Sequence, residues 1–205
     1  MKTDIYALQR GASDFRNIPA VAEKVAKYND LDPKSALRLR LLAEEMICML
    51  PQLLKYGVGS FWIENKVRDY ELHLKVKPDD ELDIDMDKVL SISKSGKNAA
   101  ATGILNKIII AVEYMLNENA KIARDDPYAF YTMGVTDDPM DIMGYNGSMA
   151  WSLLSYRNNM ETEEDSTEKQ EQWDELEKSI IANLADDVIV GIKSGVVDII
   201  IKKRF

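Results

Sequence analysis

The sequence predicts an α+β fold, with helices packed on one face of a mostly antiparallel sheet to make a two-layer sandwich. Three observations lead there. Residues 61–76 and 188–201 each hold two strand-like apolar runs split by a short polar turn, the pattern of a hairpin. Several other segments repeat apolar residues at three- and four-residue spacing, which gives a helix one buried stripe. Their order is helix, helix, hairpin, glycine-bearing loop, long helix, insertion, helices, hairpin. Strands joined by tight turns pair antiparallel, because a parallel pair needs a long crossover.

Residues 3–8 are expected as a short edge strand. Ile18, Val21, Ala22, Val25 and Ala26 mark the first helix, with Asn17 as its cap and Pro19 in the first turn, where a missing N–H costs nothing. Asn29-Asp30 closes it. Asp32-Pro33 opens a second helix that buries Leu39, Leu42, Met46, Met49, Leu50 and Leu53. Arg40 precedes Glu44 by one turn and can pair with it. Pro51 predicts a kink or an early end, and Lys55-Tyr56-Gly57 reads as the finish. In the first hairpin Tyr70, Leu72, Leu74 and Val76 face the core, while Glu71, His73, Lys75 and Lys77 face water. His73, the only histidine, is therefore expected to be solvated rather than a ligand or a base.

Residues 89–116 form the central stretch. Ser91, Ser93, Ser95 and Gly96 supply turn chemistry, and Ile104, Leu105, Ile108, Ile109, Val112, Met115 and Leu116 an apolar stripe. Two readings stand for its start. Asn98 or Thr102 caps an ordinary core helix, or free N–H groups at the helix start hold an anion. Asp83, Asp85 and Asp87 have the spacing of a calcium loop, but Lys88 and Lys94 occupy the places of its glycine and glutamate. A phosphate P-loop ending at Gly96-Lys97 fails as well, since Asn98 replaces the hydroxyl residue and Ser91 the first glycine.

Residues 123–150 are polar and irregular, with Asp125-Asp126-Pro127 echoed by Asp137-Asp138-Pro139 among tyrosines and methionines that suit an adaptable binding surface. Residues 148–156 read as a short helix, and 158–172 as a solvated linker or exposed helix start. Trp173, Leu176, Ile180, Ile181 and Leu184 restore helical spacing, Asp187 starts the next strand, and 188–192 with 196–201 form the closing hairpin. Lys202-Lys203-Arg204 reads as a basic tail.

The totals narrow the function classes. A chain of 205 residues with 46% hydrophobic and 30% charged residues suits one domain, 1–205, with an insertion or lid at about 123–172. Cys48 is the single cysteine, so no internal disulfide or all-cysteine zinc site can form. Residues 1–10 include Asp4 and lack an apolar core, so no secretory signal is expected; no run reaches bilayer length. The expected location is cytoplasmic, with no membrane partner. A net charge of −9 repels a phosphate backbone, which argues against nucleic acid.

The order of elements and several local sequences resemble the histidine-kinase-like ATPases: sensor kinases, gyrase-type ATPases and the serine kinases that act as anti-sigma factors. Leu41-Leu42-Ala43-Glu44-Glu45-Met46-Ile47 resembles that family's glutamate-bearing helix. Val76-Lys77-Pro78-Asp79 resembles the strand that runs into the adenine-reading aspartate. Ser95-Gly96-Lys97-Asn98 and Thr102-Gly103-Ile104-Leu105 resemble the second glycine box and its helix. The segment from Leu184 to Lys203 is similar to the family's terminal hairpin, closest to the anti-sigma branch. The likeness runs from about Ile18 and omits about 123–172.

The resemblance implies a nucleotide-binding regulatory protein that takes ATP. Glu44 or Glu45 would be the catalytic base. Asp79 would contact adenine, and Ser95, Gly96, Lys97, Asn98, Thr102 and Gly103 would cradle phosphates. Any activity would be that of an ATPase or a serine protein kinase. The family's magnesium-holding asparagine, four residues after the glutamate, is Cys48 counted from Glu44 and Met49 counted from Glu45. Aligning on Lys55-Tyr56-Gly57 instead puts Gln52 in that place and Cys48 in the glutamate's. Magnesium prefers hard oxygen ligands, so Mg2+ binding is in doubt. The alternative expectation is a degenerate, non-catalytic member that meets a regulatory protein through residues 123–150.

Overall fold

The structure, a computed structural model, describes residues 1–9, 17–53, 57–78, 104–116, 135–136, 150–162, 167–193 and 196–205. Its strands are β1 (Tyr6–Leu8), β2 (Gly57–Lys66), β3 (Asp69–Pro78), β4 (Val135–Thr136), β5 (Ala150–Ser152), β6 (Asp187–Lys193) and β7 (Val196–Arg204). Its helices are α1 (Ile18–Tyr28), α2 (Pro33–Leu53), α3 (Ile104–Leu116), α4 (Leu153–Thr162), α5 (Thr167–Lys178) and α6 (Ile180–Leu184). The strands form a seven-stranded sheet in the order β1-β2-β3-β7-β6-β5-β4, and each neighbouring pair is antiparallel. The expected α+β class is what the chain adopts.

Local chemistry accounts for the first helices. Pro19 lies in the first turn of α1, and Asn17 precedes it, although the Asn17 side chain makes no capping bond. The helix closes with Asp30 at φ 51°, which lets Asp30 N donate to Lys27 O and Leu31 N reach back to Ala26 O. Asp32 caps α2: its Oδ1 accepts from the N–H groups of Lys34 (3.0 Å) and Ser35 (3.2 Å). Those bonds, with the Ser35 hydroxyl foremost, hold the Asp32 carboxyl below the usual range. α2 passes through Pro51 and ends at Leu53. Gly57, expected to finish the helix, is the first residue of β2.

The first hairpin is longer than its apolar pattern and turns at Val67-Arg68. Tyr70, Leu72, Leu74 and Val76 are buried, together with Phe61 and Ile63 of β2. They join Val21, Val25, Leu42, Met46, Leu50, Ile108 and Ile181 from the helices in one large core. The chain's last strand, β7, lies between β3 and β6 and so joins the two hairpins, pairing Leu72 with Ile201 and Val190 with Ile199. Val197, Ile199 and Ile201 reach the core, whereas Ile200 meets Ala150 and Ile189 on the other face. An apolar residue on both faces of a strand suits this interior position.

The structure differs from the sequence reading in several places. Residues 150–152 form β5 before the helix begins at Leu153. Ser152 Oγ accepts from Ser155 N, and Asp187 Oδ1 on β6 accepts from Leu154 N (3.0 Å) and from Ser152 Oγ (3.0 Å). The start of α4 is thus fixed by a residue distant in sequence. Residues 158–162 belong to α4, where Met160 is buried rather than solvated, and 167–172 begin α5, the helix start that was the other expectation. The helical run from Trp173 to Leu184 breaks at Ser179, which caps α6 by accepting from Ala182 N. The segment expected as an insertion also supplies β4 and β5 to the sheet. Lys202-Lys203-Arg204 is no free tail: it completes β7, and Lys203 pairs with Asp186 at 2.6 Å.

Candidate functional site

Two places bring chemistry-bearing side chains together. The first is on α2, where successive residues point about 100° apart around the helix. Glu44 faces outward and accepts from Arg40 Nε at 2.8 Å, while Arg40 Nη1 reaches Glu23 on α1 at 2.5 Å. That surface triad occupies the Glu44 carboxylate. Glu45 lies at the flank of the buried stripe and is partly buried. Burial, and then the charge of Glu44, push its carboxyl above the usual range. A carboxyl so placed holds a proton more readily than an ordinary exposed one.

The positions four residues on offer no hard ligand. Cys48 is exposed, and desolvation with the charges of Glu45 and Glu44 pushes its thiol up, so it stays protonated. Met49 is fully buried in the core. Asp79, Ser95, Gly96, Lys97, Asn98, Thr102 and Gly103 all lie outside the described residues, as does most of 123–150. The nearest described neighbours are Pro78, which pairs with Gly57 at the end of β3, and Ile104, the buried first residue of α3. α3 packs on β6 and on α2.

The second place is on the sheet face turned away from the helices. The hairpin register sets Trp62 opposite His73 and Glu64 opposite Glu71. The Trp62 and His73 rings stack with centroids 4.7 Å apart. His73 is 8% exposed, so the expectation of a solvated histidine is wrong. It does point away from the core, as strand alternation requires, but Trp62 covers it. Neither ring nitrogen has a hydrogen-bond partner among the described residues; Nε2 stands 3.4 Å from Glu71 Oε2 without the alignment of a bond.

Burial depresses the His73 pKa, against the opposing pull of Asp198, Glu71 and Glu64. Glu64 is held low by bonds from Lys2 (2.9 Å) and from Trp62 Nε1 (2.7 Å). Lys202 approaches Glu71 at 3.9 Å, and Lys75 pairs with Asp198 at 3.3 Å. Counting equal steps outward from the Val67-Arg68 turn places Trp62 against His73. That signal lay in the sequence.

No protein-family model, curated protein or solved structure matches this chain. Among the described residues, no helix is long and apolar enough to cross a membrane.

Proposed function

We propose that the chain is a nucleotide-binding regulatory protein of the histidine-kinase-like ATPase class, with ATP held between the helices and the sheet. One observation carries the reading furthest: Glu45 is partly buried on α2, with its carboxyl pushed up by burial, and α2 packs on α3, the helix that follows the second glycine loop. In this reading Asp79 recognises adenine, and the loop from Ser95 to Gly103 surrounds the phosphates. Glu45 takes the proton of the attacking water or hydroxyl. Glu44, engaged with Arg40, does not.

A second reading rests on the place where magnesium would be held. A protonated thiol at Cys48 and a buried thioether at Met49 supply no hard oxygen, which favours a member that binds nucleotide with little or no phosphoryl transfer. Such a protein would act through a regulatory partner, engaged by residues 123–150.

Thermal melting with ATP and ADP, each with and without magnesium, separates these readings. A nucleotide at about a hundred times its Kd stabilises the folded state by about 2.7 kcal/mol, a visible rise in Tm. A rise that magnesium does not enlarge supports the binder without catalysis. No rise at millimolar nucleotide removes nucleotide binding from both readings and leaves only a partner-binding role for the fold.

A further inference from the structure

We propose that Glu64, Glu71 and His73 bind a divalent transition-metal ion of the zinc class on the sheet face turned away from the helices. The site is separate from the nucleotide reading and does not depend on it. One donor atom from each residue lies within 4.8 Å of the other two. Strand geometry makes the cluster. Glu64 and Glu71 are directly paired, and His73 follows Glu71 by two residues, so all three side chains leave the same face.

Two features separate this cluster from an ordinary acidic surface. Carboxylates directly opposite one another repel, and a cation between them relieves the repulsion. The imidazole is the stronger sign. Its side chain is 10% exposed, Nε2 stands 3.4 Å from Glu71 Oε2, and neither nitrogen makes a hydrogen bond among the described residues. Buried polar atoms are normally satisfied, so an orphaned ring beside two carboxylates marks a missing partner. A metal ion supplies it through either nitrogen.

The donor set fixes the class of ion. One imidazole nitrogen with two carboxylate oxygens suits zinc, cobalt or manganese, whereas calcium and magnesium take all-oxygen sites. Around a tetrahedral ion at about 2.1 Å the donors would close to about 3.4 Å from one another. The Glu64 and Glu71 side chains, 31% and 38% exposed, have room to do so. Lys2 and Lys202 now neutralise these carboxylates, and an arriving ion displaces both ammonium groups.

The test uses the full chain without a histidine tag, freed of metal by chelation. His73 is the only histidine, so its ring resonances need no assignment. Calorimetric titration with Zn2+ should show a single saturable site that excess Mg2+ does not compete for, and the His73 ring signals should move with the same stoichiometry. Glu71→Gln and Glu64→Gln should each weaken Zn2+ binding by about tenfold or more, while Lys2→Ala should strengthen it. Unmoved His73 signals at saturating Zn2+ would overturn the proposal in the parent protein itself, whatever any variant does. Affinity unchanged in both glutamate variants would place the ion elsewhere and overturn it too.

Discussion

Trp62 and His73 face each other across β2 and β3 with their rings only 3° from parallel. The indole removes the imidazole from water, and Lys2 lies 4.6 Å from the Trp62 ring centroid on the same face. An outward-facing histidine is thereby converted into a buried one by its cross-strand neighbour. Trp62→Ala should lower stability by about 3 kcal/mol, the cost of losing a large buried ring. It should also raise the His73 pKa toward its ordinary value in an NMR titration. An unmoved pKa would mean that the stack is not what excludes water.

The depressed His73 pKa predicts how stability depends on pH. Unfolded, this histidine takes up a proton near pH 6.5; folded, it resists until the pH is lower. The unfolded chain binds more protons in that window, so stability is full above it and falls as pH drops through it. The charged groups around the ring are Glu64 on β2 with Lys2 bridged to it, Glu71 and Lys75 on β3, and Asp198 and Lys202 on β7. Urea unfolding at about pH 7.5, 6 and 5 should show the decline, and His73→Gln should flatten it. Glu64, whose pKa is lowered, adds a separate loss below its ordinary value of 4.5.

Val67 begins the two-residue turn with φ 60° while 90% exposed. A β-branched side chain is poorly tolerated there and packs against almost nothing. Val67→Gly should therefore stabilise the protein by about 1 kcal/mol, read as a higher urea midpoint with an unchanged m-value. A lower midpoint would show that Val67 makes contacts that offset its strain.

Glu45 carries the opposite sign to Glu64. Its folded pKa is raised, so its contribution is present below the ordinary carboxylate value and lost as pH rises through the folded one. Glu45→Gln should be more stable than the parent at neutral pH. Any ATP hydrolysis should disappear in it while nucleotide binding persists. Hydrolysis retained by Glu45→Gln would remove Glu45 from the role of base.

Much of the fold was legible in the sequence because local chemistry and burial agree there. Asn29-Asp30 and Asp32-Pro33 close and open helices through their own side chains and backbone, and Tyr70, Leu72, Leu74 and Val76 alternate without interruption. Where a distant residue decides, the sequence misled. The start of α4 depends on Asp187, more than thirty residues away, and Ser152 reads as helical until β5 is seen to pair with β6. Of the expected site, Glu44 and Glu45 were legible as neighbours on one helix. Their division into a paired and a partly buried carboxylate depends on Arg40 and on packing. His73 was misread because polarity was judged along β3 alone, without its partner on β2.

The proposed nucleotide site is tested most directly by equilibrium titration of a fluorescent ATP analogue, without magnesium, into the parent, Asp79→Asn and Gly103→Val. The parent should show saturable binding that unlabelled ATP displaces. Each substitution should weaken it by about tenfold or more while the circular dichroism spectrum stays that of the parent. A parent that binds no analogue at millimolar concentration, or two folded variants that bind as the parent does, would contradict it.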